Sequence, residues 1–307
     1  MENPKTNKVV DLRQSPGWEG FLEFLGWKVF RTKNAEIAVA VRKSPFGSVS
    51  KVQRPKNVNS TDLAEIEEIC KKERVMFTKL EPSLEQDLKV LEDFGYIRSN
   101  YPLTPPSTIF IDLRQNEEKL WENLSRSAKY SINRARREAV KIETYQKPSE
   151  KVLEEFCRVA KEAAKFKGFI APSLSDLKTK VKLFGDKSYV IFAKDANGNV
   201  TGANFYLGFD DCVWFLHGGT SSTGRKGKWG YELFWQSFLY FKGLGYKSLD
   251  LEGRDDPRFP TFTKNWSGFS HFKEKFGGSN ARFPAPYIKL YSPILRVLKR
   301  VYGTIPL

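Results

Sequence analysis

Histidine, methionine and cysteine are all scarce in this chain, with 2, 2 and 3 copies among 307 residues. Two histidines and three dispersed cysteines (Cys70, Cys157 and Cys212, with no CxxC pair) do not make a zinc or iron ligand set, so no metal and no cofactor are expected. The cysteine usage fits buried thiols in a reducing compartment rather than a disulfide framework. No apolar run approaches the ~18–20 residues that a spanning helix needs. The opening "MENPKTNKVVDLRQSP" has no apolar signal-peptide core, and a cytoplasmic location is expected. Acid is missing in two places. "RSAKYSINRARR" (126–137) has five basic residues and no acid, and Lys275 to Leu307 has six and no acid. With a net charge of +15, this clustering points to a polyanionic partner or a negatively charged surface.

What is present is organised as one pattern used twice. Strand-like runs "WKVFRT", "EIAVAVRK" and "GSVSKVQ" precede a helix over 61–73, capped by Ser60 or Thr61, and "VMFTKL" follows as a strand. A helix over Gly17–Leu25 comes before them, and another, "LEQDLKVLEDFGY", after. In the second half a helix over 152–166 is followed by "YVIFAKD" and "VTGANFYLGF", which flank the hairpin signal Asn197-Gly198. Then come the strand "CVWFLHGGT", the helix "GYELFWQSFLYFKGLG" and the strand "YKSLDLEG". Both halves read helix, β-β-β-α-β, which indicates a tandem duplication. Between them, Pro102, Pro105 and Pro106 mark a linker, "TIFIDL" a strand, and 117–139 a long helix with Leu120, Leu124, Ala128, Ile132 and Ala135 on its buried stripe. Arg126, Lys129, Arg136 and Arg137 lie largely off that stripe. They fit either a solvated face or a nucleic-acid contact.

This order resembles the core of the GNAT acyltransferase fold, in which a mixed sheet opens between two central strands. The resemblance implies an α+β (mixed α/β) class with two tandem GNAT-like domains, each a mixed sheet flanked by helices. The GNAT pyrophosphate loop R/QxxGxG/A is not in register in "TSSTGRKGKWGYELF" or in "QRPKNVNSTDLAEI", which argues against a simple acetyl-CoA enzyme. A more specific likeness covers most of the chain. "VWFLHGGTSSTGRKGKWGYELFWQSFLYFKGLGYKSLDLEG" resembles the C-terminal signature of the FemABX aminoacyltransferases, and "LWENLSRSAKYSINRARREAVKIE" resembles their R-x-x-I-R-K-A helix, with Lys129 and Asn133 at the two arginine positions. "SPGWEGFLEFLGWKVFR" and "SVSKVQRPKNV" are similar to that family's Gly-Trp strand and RGP strand end, here Arg54-Pro55. "FSHFKEKFGG" is similar to its Phe-Lys-x-x-Phe-Gly element. No coiled-coil insertion is present, which fits the compact members.

The resemblance implies transfer of an amino acid from aminoacyl-tRNA to the stem peptide of a nucleotide- or lipid-linked muropeptide. It implies a first domain over 1–106 plus 280–307 on the acceptor side, and a second over 107–279 on the catalytic and tRNA side. Such a transfer passes through an oxyanion that a positioned cation must meet. By resemblance that cation is Lys273, beside Phe272. Both, with Lys275, are expected on a strand, and Lys275 is a candidate for holding phosphate. Arg126, Lys129, Arg136 and Arg137 are the further tRNA-contact candidates. Thr223, Arg225 and Trp229 keep the family's Thr-x-Arg-x-x-x-Tyr spacing for the acceptor diphosphate, with Trp in place of Tyr. That loop is basic, glycine-rich and opens a helix, so anion binding is sensible on physical grounds too. His217 and His271 read as structural histidines. Asp112, Asp250 and Glu252 are carboxylates that could take the amine's proton. Two other readings stay open: a related N-acyltransferase using acyl-CoA or acyl carrier protein, and a non-catalytic RNA-binding protein on the same scaffold. "SPILRVLKRVYG" is expected to dock on the first domain. As a basic amphipathic helix it could instead make peripheral contact with anionic lipid. The sequence does not indicate the oligomeric state.

Overall fold

The computed structural model describes residues 10–45, 47–167 and 170–302. The first nine residues of the opening segment, where no signal-peptide core was expected, lie outside them. The chain forms two units, one from Val10–Ser107, Arg254–Trp266 and the chain from Ala281 onward, the other from Thr108–Gly253 and Ser267–Asn280.

The first unit opens with α1 (Pro16–Phe24), where Ser15 caps the N–H of Trp18 and Pro16 takes the first turn. It continues with β1 (Lys28–Arg31), β2 (Ala38–Ser44), β3 (Gly47–Gln53), α2 (Ser60–Lys72), β4 (Val75–Glu81), α3 (Leu88–Asp93) and β5 (Ile97–Arg98). The cap of α2 is Asn59, one residue before the expected Ser60 or Thr61. Its side chain and that of Asp62 each accept the other's backbone N–H, a capping box that a serine cap would shift out of register. The helix expected after Pro82 begins only at Leu88, because Asp87 caps it. Val39, Val41, Val52, Leu63, Ile66 and Leu80 make the core between α2 and the sheet.

The second unit contains β6 (Ser107–Asp112), α4 (Glu117–Glu122), α5 (Arg126–Arg137), β7 (Lys141–Gln146), α6 (Glu150–Lys167), α7 (Leu174–Phe184), β8 (Ser188–Lys194), β9 (Val200–Phe209) and β10 (Cys212–Thr220). Then follow α8 (Ser222–Gly227), α9 (Gly230–Gly243), β11 (Ser248–Asp250), α10 (Ser267–Glu274) and β12 (Ser279–Arg282). The long helix expected over 117–139 is two helices. Ser125 breaks it by capping the N–H of Ala128. Its apolar stripe survives the break, since Leu120, Leu124, Ala128 and Ile132 share one core with Leu233, Phe234, Trp235, Phe238 and Phe241 of α9. Side chains of this size contribute about 1.5–3 kcal/mol each when fully buried.

The duplication is visible in the pairing. β1–β2 and β2–β3 are antiparallel and β3–β4 parallel; β8–β9 and β9–β10 are antiparallel and β10–β11 parallel. Each sheet is then extended by a strand from elsewhere in the chain. β13 (Tyr287–Leu290) enters between β4 and β5, and β6 lies against β11, giving orders β1-β2-β3-β4-β13-β5 and β12-β6-β11-β10-β9-β8-β7. The mixed α/β class with tandem GNAT-like sheets is borne out.

Two expectations are corrected. Residues 267–274 are helical, not a strand: Phe269, Phe272, Lys273 and Phe276 recur at helical spacing, and that period outweighs the local aromatic and lysine mixture. The last helix, α11 (Pro293–Tyr302), does not bury its apolar side. Ile294 is 72% exposed and Val301 68%.

Candidate active site

β10 and β11 pair over only three residues, Cys212–Trp214 with Ser248–Asp250. Beyond that point β10 runs on to Thr220 through a bulge between Phe215 and His217, while β11 stops. The stop has a local cause. Glu252 and Gly253 both take left-handed backbone angles, φ 50° and 54°. The buried Asp250 carboxylate holds the turn, accepting from the Glu252 N–H (2.7 Å) and from the Thr108 hydroxyl. The two parallel strands therefore part at a defined place, with the carbonyls of Glu252 and Gly253 turned out of the ladder.

Lys273 fills that place from α10. Its Nζ donates to the carbonyl oxygens of Glu252 and Gly253, the latter at 2.8 Å, and the side chain is only 6% exposed. The ammonium lies 4.7 Å from the Phe269 ring centroid and 5.4 Å from that of Phe215. Phe215 belongs to β10 and the carbonyls follow β11, so one cation touches both sides of the opening. Phe272 acts by packing: it meets Tyr231 at 4.8 Å, Phe234 at 5.2 Å and Phe276 at 5.2 Å, fixing α10 on α9. Lys275 is half-buried just past α10, and its carbonyl accepts the Ser125 N–H that opens α5 (2.8 Å). The strand face expected to join Lys273 and Lys275 does not exist. The two glycines after it are required: Gly278 has φ 84°, and a Cβ there would come within 2.6 Å of the Phe110 carbonyl.

The second group of candidates lies at the end of β10. Ser221 caps the Gly224 N–H of α8 (3.2 Å), and Glu162 of α6 accepts the Ser222 N–H (2.7 Å). A carboxylate thus occupies a position where an anion was expected. Thr223 is exposed and, with Ser221, Arg158, Lys151 and Lys194, lines a cavity of about 840 Å³. Arg225 donates to the Thr220 carbonyl (2.6 Å). Trp229 is turned toward the end of α5. Its indole N–H donates to Glu138 (2.5 Å), whose other oxygen takes Arg134 (2.6 Å). These donors hold the Glu138 carboxyl below its usual range, the Trp229 bond first and Arg134 next. Lys273 does not line the cavity that holds Thr223.

On α5, Arg126 and Arg137 are exposed. Lys129 donates to the Glu122 carbonyl (3.2 Å). Arg136 donates to Glu232 (3.2 Å) and lies 5.6 Å over Trp121. Glu232 was not singled out from the sequence. It is 4% exposed, and burial raises its pKa against the opposing pull of Gln236 and Arg136. The signal available was one acid inside the otherwise aromatic run "GYELFWQSFLYF". Lys51 and Lys79 were also missed. They are register partners on β3 and β4, and burial brings both down to about 8 while Glu81 opposes it. His217 is half-buried with Nε2 unpartnered among the described residues. Burial first, then the Lys180 charge, lower it to about 3, so it is a neutral structural ring near pH 7. Asp112 pairs with Arg114 (2.7 Å) and is not at the opening of β10 and β11.

Two mixed sheets of matching order, the second opened at its parallel pair, define a tandem GNAT-like protein. The solved structures agree on the fold: FemX (TM-score 0.81, 13% identity, 97% of this chain and 96% of that one) and L-PGS from Bacillus licheniformis (0.63, 16%, 94% and 92%) are similar, as is a tandem GNAT protein from the clavulanic acid biosynthesis pathway (0.52, 12%, 84% and 79%). Residues 94–200 match the model of the FemAB family. With the fold, that match agrees with the FemABX resemblance carried by the motifs over this part of the chain. No curated protein matches the sequence.

Proposed function

We propose that the protein moves an amino acid from aminoacyl-tRNA onto an amine of a peptidoglycan-precursor stem peptide, nucleotide- or lipid-linked, with Lys273 stabilising the oxyanion. The observation that carries this reading is the buried Lys273 ammonium at the parting of β10 and β11, set between Phe215 of β10 and the turn that follows β11. Attack of the amine on the aminoacyl ester puts negative charge on the carbonyl oxygen, and collapse of that intermediate forms the amide and releases the terminal ribose hydroxyl of the tRNA. A cation fixed among aromatic rings meets that charge with little reorganisation, and such preorganised stabilisation is often the largest catalytic contribution. The amine must lose a proton, and His217, lowered to about 3, is a poor acceptor for it. Arg225 and Thr223 are assigned to the acceptor's diphosphate. The exposed Arg126 and Arg137 of α5, with Lys129 and Lys275, are assigned to tRNA phosphates. Arg136, tied to Glu232, serves that surface by position. Residues 1–106 with 280–307 form the acceptor domain in this reading and 107–279 the catalytic domain. The reaction then belongs in the cytoplasm, at or near the inner membrane face.

The competing donor is acyl-CoA, since one similar tandem GNAT protein is described with respect to AcCoA. The GNAT pyrophosphate loop R/QxxGxG/A, out of register in this chain, argues against it. The test is incorporation of a radiolabelled amino acid from a full set of charged tRNAs into a muropeptide, with wild type and Lys273→Ala compared. Transfer by wild type and its loss in the variant are expected. No transfer from any charged tRNA, with thermal stabilisation by coenzyme A, overturns the proposal. Tight tRNA binding that ignores aminoacylation, without transfer, leaves an RNA-binding protein instead.

A further inference from the structure

The helix α11 separates its side chains cleanly. Ile294, Val297, Leu298 and Val301 are 72%, 60%, 39% and 68% exposed, and their spacing sets them on one face. Arg296, Lys299 and Arg300 fall on the opposite side of the same helix. The helix is anchored at its start, where Arg296 donates to the Leu290 carbonyl (2.9 Å) at the end of β13. Four adjacent exposed aliphatic residues on one helix form a patch that soluble surfaces rarely leave open, and they require an occupant.

Charge decides which occupant. From Lys275 to Leu307 there is no acidic residue, so a second copy of α11 packed on the first would gather six Lys and Arg side chains from the two helices with no acid among them. An anionic lipid surface satisfies both halves of the pattern. Its acyl boundary takes the aliphatic face, and its phosphates meet the long basic side chains, whose stems let the charged heads reach the headgroup level. We propose that α11 is an interfacial helix that binds the protein to an anionic bilayer surface, with Ile294, Val297, Leu298 and Val301 entering the headgroup boundary and Arg296, Lys299 and Arg300 reaching the lipid phosphates. This extends the functional reading only by naming where a membrane is met. The experiment reads vesicle binding and not transfer, so either idea can fail alone.

The whole chain is sedimented with vesicles of phosphatidylcholine alone and of phosphatidylcholine mixed with phosphatidylglycerol. Binding to the mixed vesicles only is expected, weakening as salt is raised. The double change Val297→Asp and Val301→Asp, on exposed positions that leave the folded core intact, is expected to lower the partition by about tenfold or more. The emission of an Ile294→Trp variant is expected to shift to the blue with mixed vesicles and stay put with neutral ones. Three results overturn the inference. One is equal binding to both vesicles or to neither. Another is mixed-vesicle binding that survives the double change, which assigns adherence to the general positive charge. The last is self-association, or capture of an acidic protein partner, abolished by the same double change without any effect on vesicles.

Discussion

Replacing Lys273 by alanine removes a cation that both braces the turn after β11 and faces the opening beside it, and the two losses have different sizes. The carbonyls of Glu252 and Gly253 lose a buried donor. At ~1–3 kcal/mol for each of the two buried acceptors left unsatisfied, the folded state loses about 2–6 kcal/mol. That is a large share of a typical total of ~5–15 kcal/mol, and at ~2–4 °C per kcal/mol for a domain of this size it lowers Tm by roughly 4–24 °C. The kinetic loss is separate. Removing one preorganised oxyanion partner typically costs ~10²–10³ in kcat. Urea unfolding and single-turnover transfer from charged tRNA, both run well below the variant's Tm, measure the two. Lys273→Met keeps the stem against Phe269 and Phe215 and loses the charge together with the two donated hydrogen bonds. It is expected to transfer as poorly as the alanine variant. A fall in stability with an unchanged single-turnover rate would show that Lys273 only braces the turn, and the oxyanion assignment would be refuted.

Arg136→Ala leaves Glu232 buried without its cation. Because the folded Glu232 pKa is already raised, its stabilising balance is present at acid pH and is lost as pH rises through the folded value. The variant is therefore expected to lose about 1–3 kcal/mol near pH 7 and less near pH 4 in chemical denaturation. His217 has the opposite sign, since its folded pKa of about 3 lies below the unfolded value. Stability falls as pH drops from about 6.5 toward 3, by at most ~1.4 kcal/mol per pH unit, and His217→Gln flattens that slope. Gly278→Ala forces a Cβ against the Phe110 carbonyl in a left-handed conformation and is expected to cost at least ~2 kcal/mol by thermal melt. Arg225→Ala is expected to raise KM for the muropeptide about tenfold or more while leaving the affinity for charged tRNA unchanged; equal losses for both would remove it from the acceptor site.

The repeated β-β-β-α-β order was legible because each strand carries its own short-range signal. The Asn197-Gly198 turn and the aliphatic runs of β2, β8 and β10 report on local backbone preference. What the residues alone did not show was set by distant partners. Trp229 reads from the sequence only as a substitute for the family's tyrosine, and the fold shows that Glu138, at the distant end of α5, takes its indole N–H. Lys273 read as a residue on a strand because basic and aromatic residues mix in "FSHFKEKFGG". The period that marks a helix lies in Phe269, Phe272 and Phe276, and the last two meet Phe234 of α9, which is remote in sequence. For α11 the amphipathic pattern was plain in "SPILRVLKRVYG", but a hydrophobic stripe alone does not say whether it faces a core or something outside the chain.

β13 has a consequence for how the chain is made. The sheet begun at Lys28 receives the strand between β4 and β5 only from Tyr287–Leu290, after the whole of Thr108–Gly253 has been synthesised. During translation β4 carries an unpaired edge for about 200 residues of elongation, ~10–40 s at usual ribosome speeds. The intervening unit has most of its strands before that and can fold first, while the first sheet waits with an open edge. A stalled or shortened chain would present that edge to other chains, and this makes the interval, rather than the finished fold, the point at which aggregation is most to be expected.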